Sequence, residues 1–515
     1  MSEPVTDPSS SRGAYFSAGV VAGVPWTIVS KVFLFVVYMG VPILIVRGVG
    51  SETYGVYALC RNLGEVLIVF CALGSNTALT RFIPELRVNR DRQGLRMLLL
   101  HVATVQLVAT AIVTGILLLA APFLQTWLKI DSRMLLLLTM FFTAGSMARN
   151  VVDDVFTALF NVRSVSILAL ARGFTMLLAM GAAALLLHDV HWILLAQGAT
   201  LSLFSMYGSV MLTKTIRGLG WGVSQRPLHH NRVIWISLAS MFNQLANMLM
   251  RQYSEIFFLT VHFEKSMVGM YDLACQVPML VITFVPVAIQ KLFTSGFAEA
   301  YARDPRCLNN LIQSYYKALM VTVLPFTALG LYLSPQAFVV FFGEEMAPAG
   351  PVAAMFFVIH SLFLISIPLS MAIVTTEKMM HVQPLMLMQV IINLYLDYLL
   401  IPGFGMYGAV AAVFGTWFVT IPIRLYVVGR LLNGLQFPTL FFIRIVLMQF
   451  ALGACFYPFA SYLNAVGLVL AGLLYMAIYV FLLRFTRIIR PEDVEDLRQL
   501  GFSGLNRALA FLVPG

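Results

Sequence analysis

The stretch VRGVGSETYGVYALCRNLGEVLIVFCALGSNTALTRFIPEL, residues 46–86, decides how the rest of the chain is read, because a second version of it occupies residues 260–300. A constant shift of 214 positions sets Gly55 on Gly269, Tyr57 on Tyr271, Leu59 on Leu273 and Glu85 on Glu299. Each copy reads as a turn, a long apolar helix and then a charged loop. The spacing therefore predicts two related halves built from the same helical unit.

Composition sets the class. With 60% hydrophobic residues, 11% charged residues and a mean hydropathy of +0.87, the chain lies outside the range of soluble globular proteins. A polytopic, all-α integral membrane protein is expected. The polar, Ser- and Pro-rich stretch 1–12 is followed by an apolar run too long for a cleavable signal core, so it reads as a short cytoplasmic tail. Cys60, Cys71, Cys275, Cys307 and Cys455 show no CxxC spacing and read as small buried residues. Cys60 and Cys71 share a helix face about 16 Å apart, too far for a disulfide.

A bilayer core needs about 20 apolar residues per helix. Spans are expected at residues 14–46, 54–80, 95–120, 134–160, 165–187 and 191–212, then at 234–261, 267–294, 308–333, 352–376, 382–401 and 407–428. Two more, 440–462 and 465–483, make fourteen. Charge bias tests this count, since cytoplasmic loops are enriched in Lys and Arg. With the N-terminus inside, the cytoplasmic connections, the helix ends that flank them and the C-terminal tail hold 22 such residues, and the outer loops hold only Arg47, Lys129, Arg133 and Lys265. Both termini are thus expected in the cytoplasm.

Six spans return the chain to the side it started from, so the two lobes should be related by a pseudo-twofold axis along the membrane normal. The expected organisation is a tail at 1–13, an N-lobe at 14–213 and a basic cytoplasmic linker at 214–232. A C-lobe at 233–430, two further helices within 438–484 and a cytoplasmic tail at 485–515 follow. The glycines of the linker do not form a phosphate loop, because no strand precedes them.

Ionisable groups inside spans are expensive and mark function. Lys31, Arg61, Arg149 and Arg251 are the candidate substrate-binding cations. Glu65, Glu255 and Asp272 are candidates for ion pairing or for coupling to H⁺ or Na⁺. Arg61 and Glu65 stand one turn apart, as do Arg251 and Glu255, so each couple can bridge along its helix. Asp272 falls on Ala58 under the 214-residue shift, on the face that carries Arg61. Across a twofold axis such faces would look at each other over a cavity; the bland alternative is salt bridges that only hold the bundle. Arg149 has Asp153 one turn away, whereas Asp153, Asp154 and Asp397 lie near helix ends and read as interfacial. Lys317 and Arg444 read as snorkelling cations. Pro25, Pro42, Pro278, Pro286 and Pro368 interrupt helices and suggest kinks. No histidine has metal-ligand spacing and no nucleophile has a base, so no metal, cofactor or nucleic-acid partner is expected.

The pattern VRGVGSETYGVYAL with GSNTALTRFIPEL, the stretch NLYLDYLLIPGFGMYGAVAAVFGTW at residues 393–417 and the tail RPEDVEDLRQL resemble the polysaccharide flippase branch of the multidrug/oligosaccharidyl-lipid/polysaccharide exporter superfamily. The resemblance covers nearly the whole chain. It implies a bacterial inner-membrane protein that moves a polyprenyl-pyrophosphate-linked oligosaccharide, a lipid-linked anion, to the periplasmic leaflet by alternating access. It carries over no single catalytic residue. A multidrug cation antiporter and a membrane glycosyltransferase or polymerase remain alternatives. The first would need unpaired acids in its cavity, and the second a sizeable charged outer loop.

Overall fold

The computed structural model describes residues 8–130, 132–159, 161–218, 230–249, 253–303, 308–376, 378, 381–432, 437–460, 462–486 and 488. Among them there are sixteen α-helices and no β-strand. Hydrocarbon offers backbone groups no partner, so a chain this apolar must satisfy them within helices.

Helix α1 (Pro8–Ala72) is two helices fused across Gly50, whose φ of 79° breaks the helical path. A residue with a Cβ seldom takes that angle. The chain then continues through α2 (Ser75–Val88), α3 (Arg92–Leu119), the short α4 (Ala121–Leu128), α5 (Arg133–Ala158) and α6 (Val162–Ala182). A π turn (Ala183–Leu187) ends α6, and α7 (Val190–Gly218), α8 (His230–Leu249) and α9 (Tyr253–His262) follow. Next come α10 (Lys265–Arg303), α11 (Leu308–Phe342), α12 (Ala349–Phe363) and α13 (Ser366–Thr375). The long α14 (Gln383–Leu431) folds at Gly405, where φ is 56°, before α15 (Thr439–Ala460) and α16 (Ala465–Thr486).

Eleven described helices are long and apolar enough to cross a membrane. Two of these, Val29–Ala72 and Gln383–Leu431, run to 44 and 49 residues, twice what one crossing needs, and each folds at its glycine. Counting these two as two spans each, the described candidates cover thirteen of the fourteen expected spans; the remaining one, 234–261, includes residues outside the described ones. The protein is an all-α integral membrane protein.

The sharpest departures from straight helix arise at glycine rather than proline. Pro42, Pro278 and Pro286 lie inside α1 and α10 without interrupting them, and Pro368 sits in the first turn of α13, where a missing N–H costs nothing. The expected span 54–80 is instead broken at Leu73 and Gly74, which take φ of 47° and 70°. The expected span 352–376 is broken between α12 and α13. Cys60, Cys71 and Cys275 are buried as expected, Cys455 is exposed, and Cys307 lies outside the described residues.

The chain forms two compact units, Met1–Tyr253 and Ser254–Gly515. In the first, a core of Ala78, Phe82, Leu98, Val155 and Phe156 ties α2 and α3 to α5. In the second, Ile312, Tyr315, Tyr316, Ala372 and Tyr475 gather α11, α13 and α16. The repeat shows in burial. Tyr57 and Leu59 in one unit, and Tyr271 and Leu273 in the other, are all buried, as are Gly55 and Gly269.

Candidate functional site

The polar centre of the second unit is built on α9, α10 and α14. Ser254 and Glu255 occupy the first turn of α9. Asn393 and Asp397 stand one turn apart on α14 and so share a face. The Asn393 amide Nδ2 donates to Glu255 Oε1 at 3.3 Å, and the Ser254 hydroxyl donates to Asn393 Oδ1 at 3.4 Å. Glu255 is 1% exposed and Asp397 0%. Glu255 Oε2 and both Asp397 oxygens meet no hydrogen-bond donor among the described residues. The Tyr271 hydroxyl on α10 is likewise buried without a partner and lies within electrostatic reach of both acids.

Asp272, the residue after Tyr271, is fully buried and accepts from Gln276 Nε2 at 2.6 Å. On the same helix, the Cys275 carbonyl contacts His360 Nε2 at 3.1 Å, which joins α10 to α12. The floor of this centre is therefore fixed by hydrogen bonds, whereas Glu255 is held through one oxygen and Asp397 through neither, among the described residues. Burying an ionised carboxylate with no partner is costly. A proton or a small cation would remove that cost. Among the described residues no group of three or more His, Cys, Asp or Glu side chains could hold a metal ion.

In the first unit, Arg61 is half-buried with its guanidinium 6.0 Å from the centroid of the Tyr57 ring. The Tyr57 hydroxyl donates to Gln197 Oε1 at 3.2 Å, which sets that ring against α7. Glu65 is half-buried one turn further along α1. Lys31 is exposed. Arg149 donates from Nη2 to Asn150 Oδ1 at 2.7 Å, and its Nε is buried without a partner. Asp153 does not pair with Arg149, one turn away. It takes Arg172 of α6 instead, at 3.0 Å, because the longer reach between helices aligns the fork of the guanidinium with both carboxylate oxygens. Arg251 lies outside the described residues.

Sequence reasoning missed Asn393, Ser254, Tyr271 and, above all, Asp397. Its place near a helix end suggested interfacial solvation, but the helix turns that side chain inward, where it is fully buried. The signal that could have found it was the Asn-x-x-x-Asp spacing, which puts two polar groups on one face of an otherwise apolar helix.

Residues 44–351 match the family described as polysaccharide biosynthesis protein. No curated protein matches the chain at a significant level. Among solved structures, lipid II flippase MurJ in an inward closed conformation is similar, with a TM-score of 0.66 at 11% identity, over 91% of this chain and 100% of that one. An inward-facing multidrug resistance MATE family transporter of the MOP superfamily is similar at a TM-score of 0.64 and 14% identity, over 78% and 94% of the two chains. The family match spans more than half of the chain: the chain belongs to the polysaccharide biosynthesis protein family, with the fold that the MurJ flippase and the MATE transporters share.

Proposed function

We propose that the protein is a flippase of the cytoplasmic membrane that translocates a polyprenyl-pyrophosphate-linked oligosaccharide by alternating access, and that H⁺ or Na⁺ at Glu255 and Asp397 couples the cycle. The observation that carries this reading is the pair of buried carboxylates that, among the described residues, leave three oxygens unpartnered inside a membrane transporter fold. A proton or a cation at such a pair would offset the cost of burying its charge. A group that must be filled and emptied can bias two conformations of the unit holding it.

On this reading Lys31, Arg61, Arg149 and Arg251 serve the pyrophosphate, whose negative charges need cationic partners in a low-dielectric layer. The polyprenyl chain stays in the bilayer. Both termini face the cytoplasm, and the lobes expected at 14–213 and 233–430 each carry one copy of the repeat. Membership of a polysaccharide biosynthesis family supports the oligosaccharide as cargo.

The test is a reconstituted flipping assay with a labelled polyprenyl-pyrophosphate oligosaccharide in proteoliposomes. Flipping should depend on an imposed Na⁺ or pH gradient and fall in Arg61→Ala with Arg149→Ala. Equal flipping with no gradient of either ion would remove the coupling. Failure to move the glycolipid at all, alongside efflux of organic cations, would favour the multidrug reading.

A further inference from the structure

Between α11, α12 and α15 the second unit holds a cavity of about 230 Å³. Its walls include Leu319, Ala328, Leu362, Ile365 and Phe442. The hydroxyls on the wall are turned back onto the backbone. Tyr316 donates to the Ile365 carbonyl at 2.7 Å, Thr327 to Val323 at 3.3 Å, Ser361 to Val358 at 2.6 Å and Tyr332 to Phe450 at 3.5 Å. Gln449, the remaining polar group, is 3% exposed, accepts the Tyr475 hydroxyl of α16 and keeps a buried Nε2 without a partner among the described residues. The lining thus offers a headgroup one amide donor and no charged side chain. A cavity with apolar walls stays dry, and leaving it empty forfeits dispersion contacts over its whole lining.

The cavity opens on an exposed apolar face of α11 and α15, both long and apolar enough to cross a membrane. Leu331, Val446 and Phe450 line the cavity and are exposed, and Ile443 and Leu447 continue the same apolar surface along α15. Only hydrocarbon is at hand there, at high concentration and with no desolvation cost. We propose that this cavity is a binding site for one acyl chain of a bilayer phospholipid. The chain lies against Leu364 and Ile365, the break between α12 and α13, whose carbonyl Tyr316 holds. An occupied cavity therefore packs the break from the membrane side and limits its bending.

The experiment feeds cells a fatty acid that carries a diazirine in its terminal half, so that membrane phospholipids acquire it. After irradiation the full-length protein is purified and labelled peptides are mapped. Label should concentrate several-fold on residues 319–332 and 442–450 relative to the exposed face of α3 around Leu107 and Ile116. Ala328→Phe, which fills the space, should abolish that excess, and Leu331→Trp at the mouth repeats the test if the first variant does not accumulate. Equal labelling of α3 and the cavity would overturn the proposal, as would undiminished labelling in a variant that accumulates. Labelling seen only with a diazirine-bearing polyprenyl phosphate would overturn the phospholipid as occupant.

Discussion

Asn393 donates to Glu255 across 3.3 Å while standing one turn before Asp397, so the one amide donor serves the first of two buried carboxylates and, among the described residues, leaves the second without a partner. Replacing a carboxylate here by its amide removes a buried charge and keeps the shape. Glu255→Gln and Asp397→Asn should therefore melt at or above the parent temperature, with a gain of up to about 1 kcal/mol. Gradient-driven flipping should fall by about tenfold or more, equivalent to about 1.4 kcal/mol. Thermal melting in detergent beside a proteoliposome assay checks both. Loss of stability in step with activity would mean that the acids only hold the bundle.

Arg172 and Asp153 bind α6 to α5 through two hydrogen bonds at 3.0 and 3.4 Å, with side chains 12% and 24% exposed. Removing one partner strands the other charge. Arg172→Ala should destabilise the protein by about 3 kcal/mol, and Arg172→Ala with Asp153→Ala should recover most of that loss. A double-mutant cycle on melting temperature measures it, and additive losses would show that the two residues are not coupled.

How far the sequence could be read follows from what each level of structure depends on. Span number and helical class depend on local hydropathy and on the repeat, so thirteen of the fourteen spans, the glycine turn near Gly50 and the partnership of Tyr57 with Tyr271 were visible at once. Breaks inside spans depend on what packs beside them. Leu73 takes a left-handed angle only because its neighbours hold it there, and no local pattern marks it. The site depends on rotation about the helix axis. Glu255 stands out in the sequence because any acid in a span is costly, whereas Asp397 reads as interfacial from its distance along the helix, a coordinate that says nothing about which way it faces. Asp153 reads as interfacial on the same ground, and its partner Arg172 lies on another helix, which spacing along the chain does not reveal.

Gly74 separates α1 from α2 at φ 70°, and a Cβ there would lie 2.0 Å from the Ser237 carbonyl oxygen of α8. Both the backbone angle and the approach of α8 require glycine. Gly74→Ala should cost about 3 kcal/mol or more and lower the amount of folded protein in the membrane. Gly115, in α3, has nothing within 4 Å of the corresponding position. Gly115→Ala should be neutral or gain up to about 1 kcal/mol. Comparing the two by melting temperature separates a packing requirement from a general dislike of change in these helices, and a tolerant Gly74 would argue against the close α2–α8 contact.

Asp189 begins α7 from the loop that follows the π turn. Partial burial pushes its carboxyl up, but the His191 backbone N–H at 3.0 Å and the His191 ring at 2.8 Å outweigh that and hold it below the usual carboxylate range. A group whose pKa is lowered in the folded state contributes stability above its unfolded value and loses it as the pH falls through the folded one. The contribution of Asp189 should therefore be complete above about pH 4 and disappear only in stronger acid. The side chain is 46% exposed, so solvent screens the effect and the shift in melting temperature should be small. Asp189→Asn should lower the melting temperature at neutral pH and flatten its fall in acid, because the amide cannot titrate. Melting curves from pH 7 down to pH 3 check this, and an unchanged acid limb would place the acid sensitivity on other carboxylates.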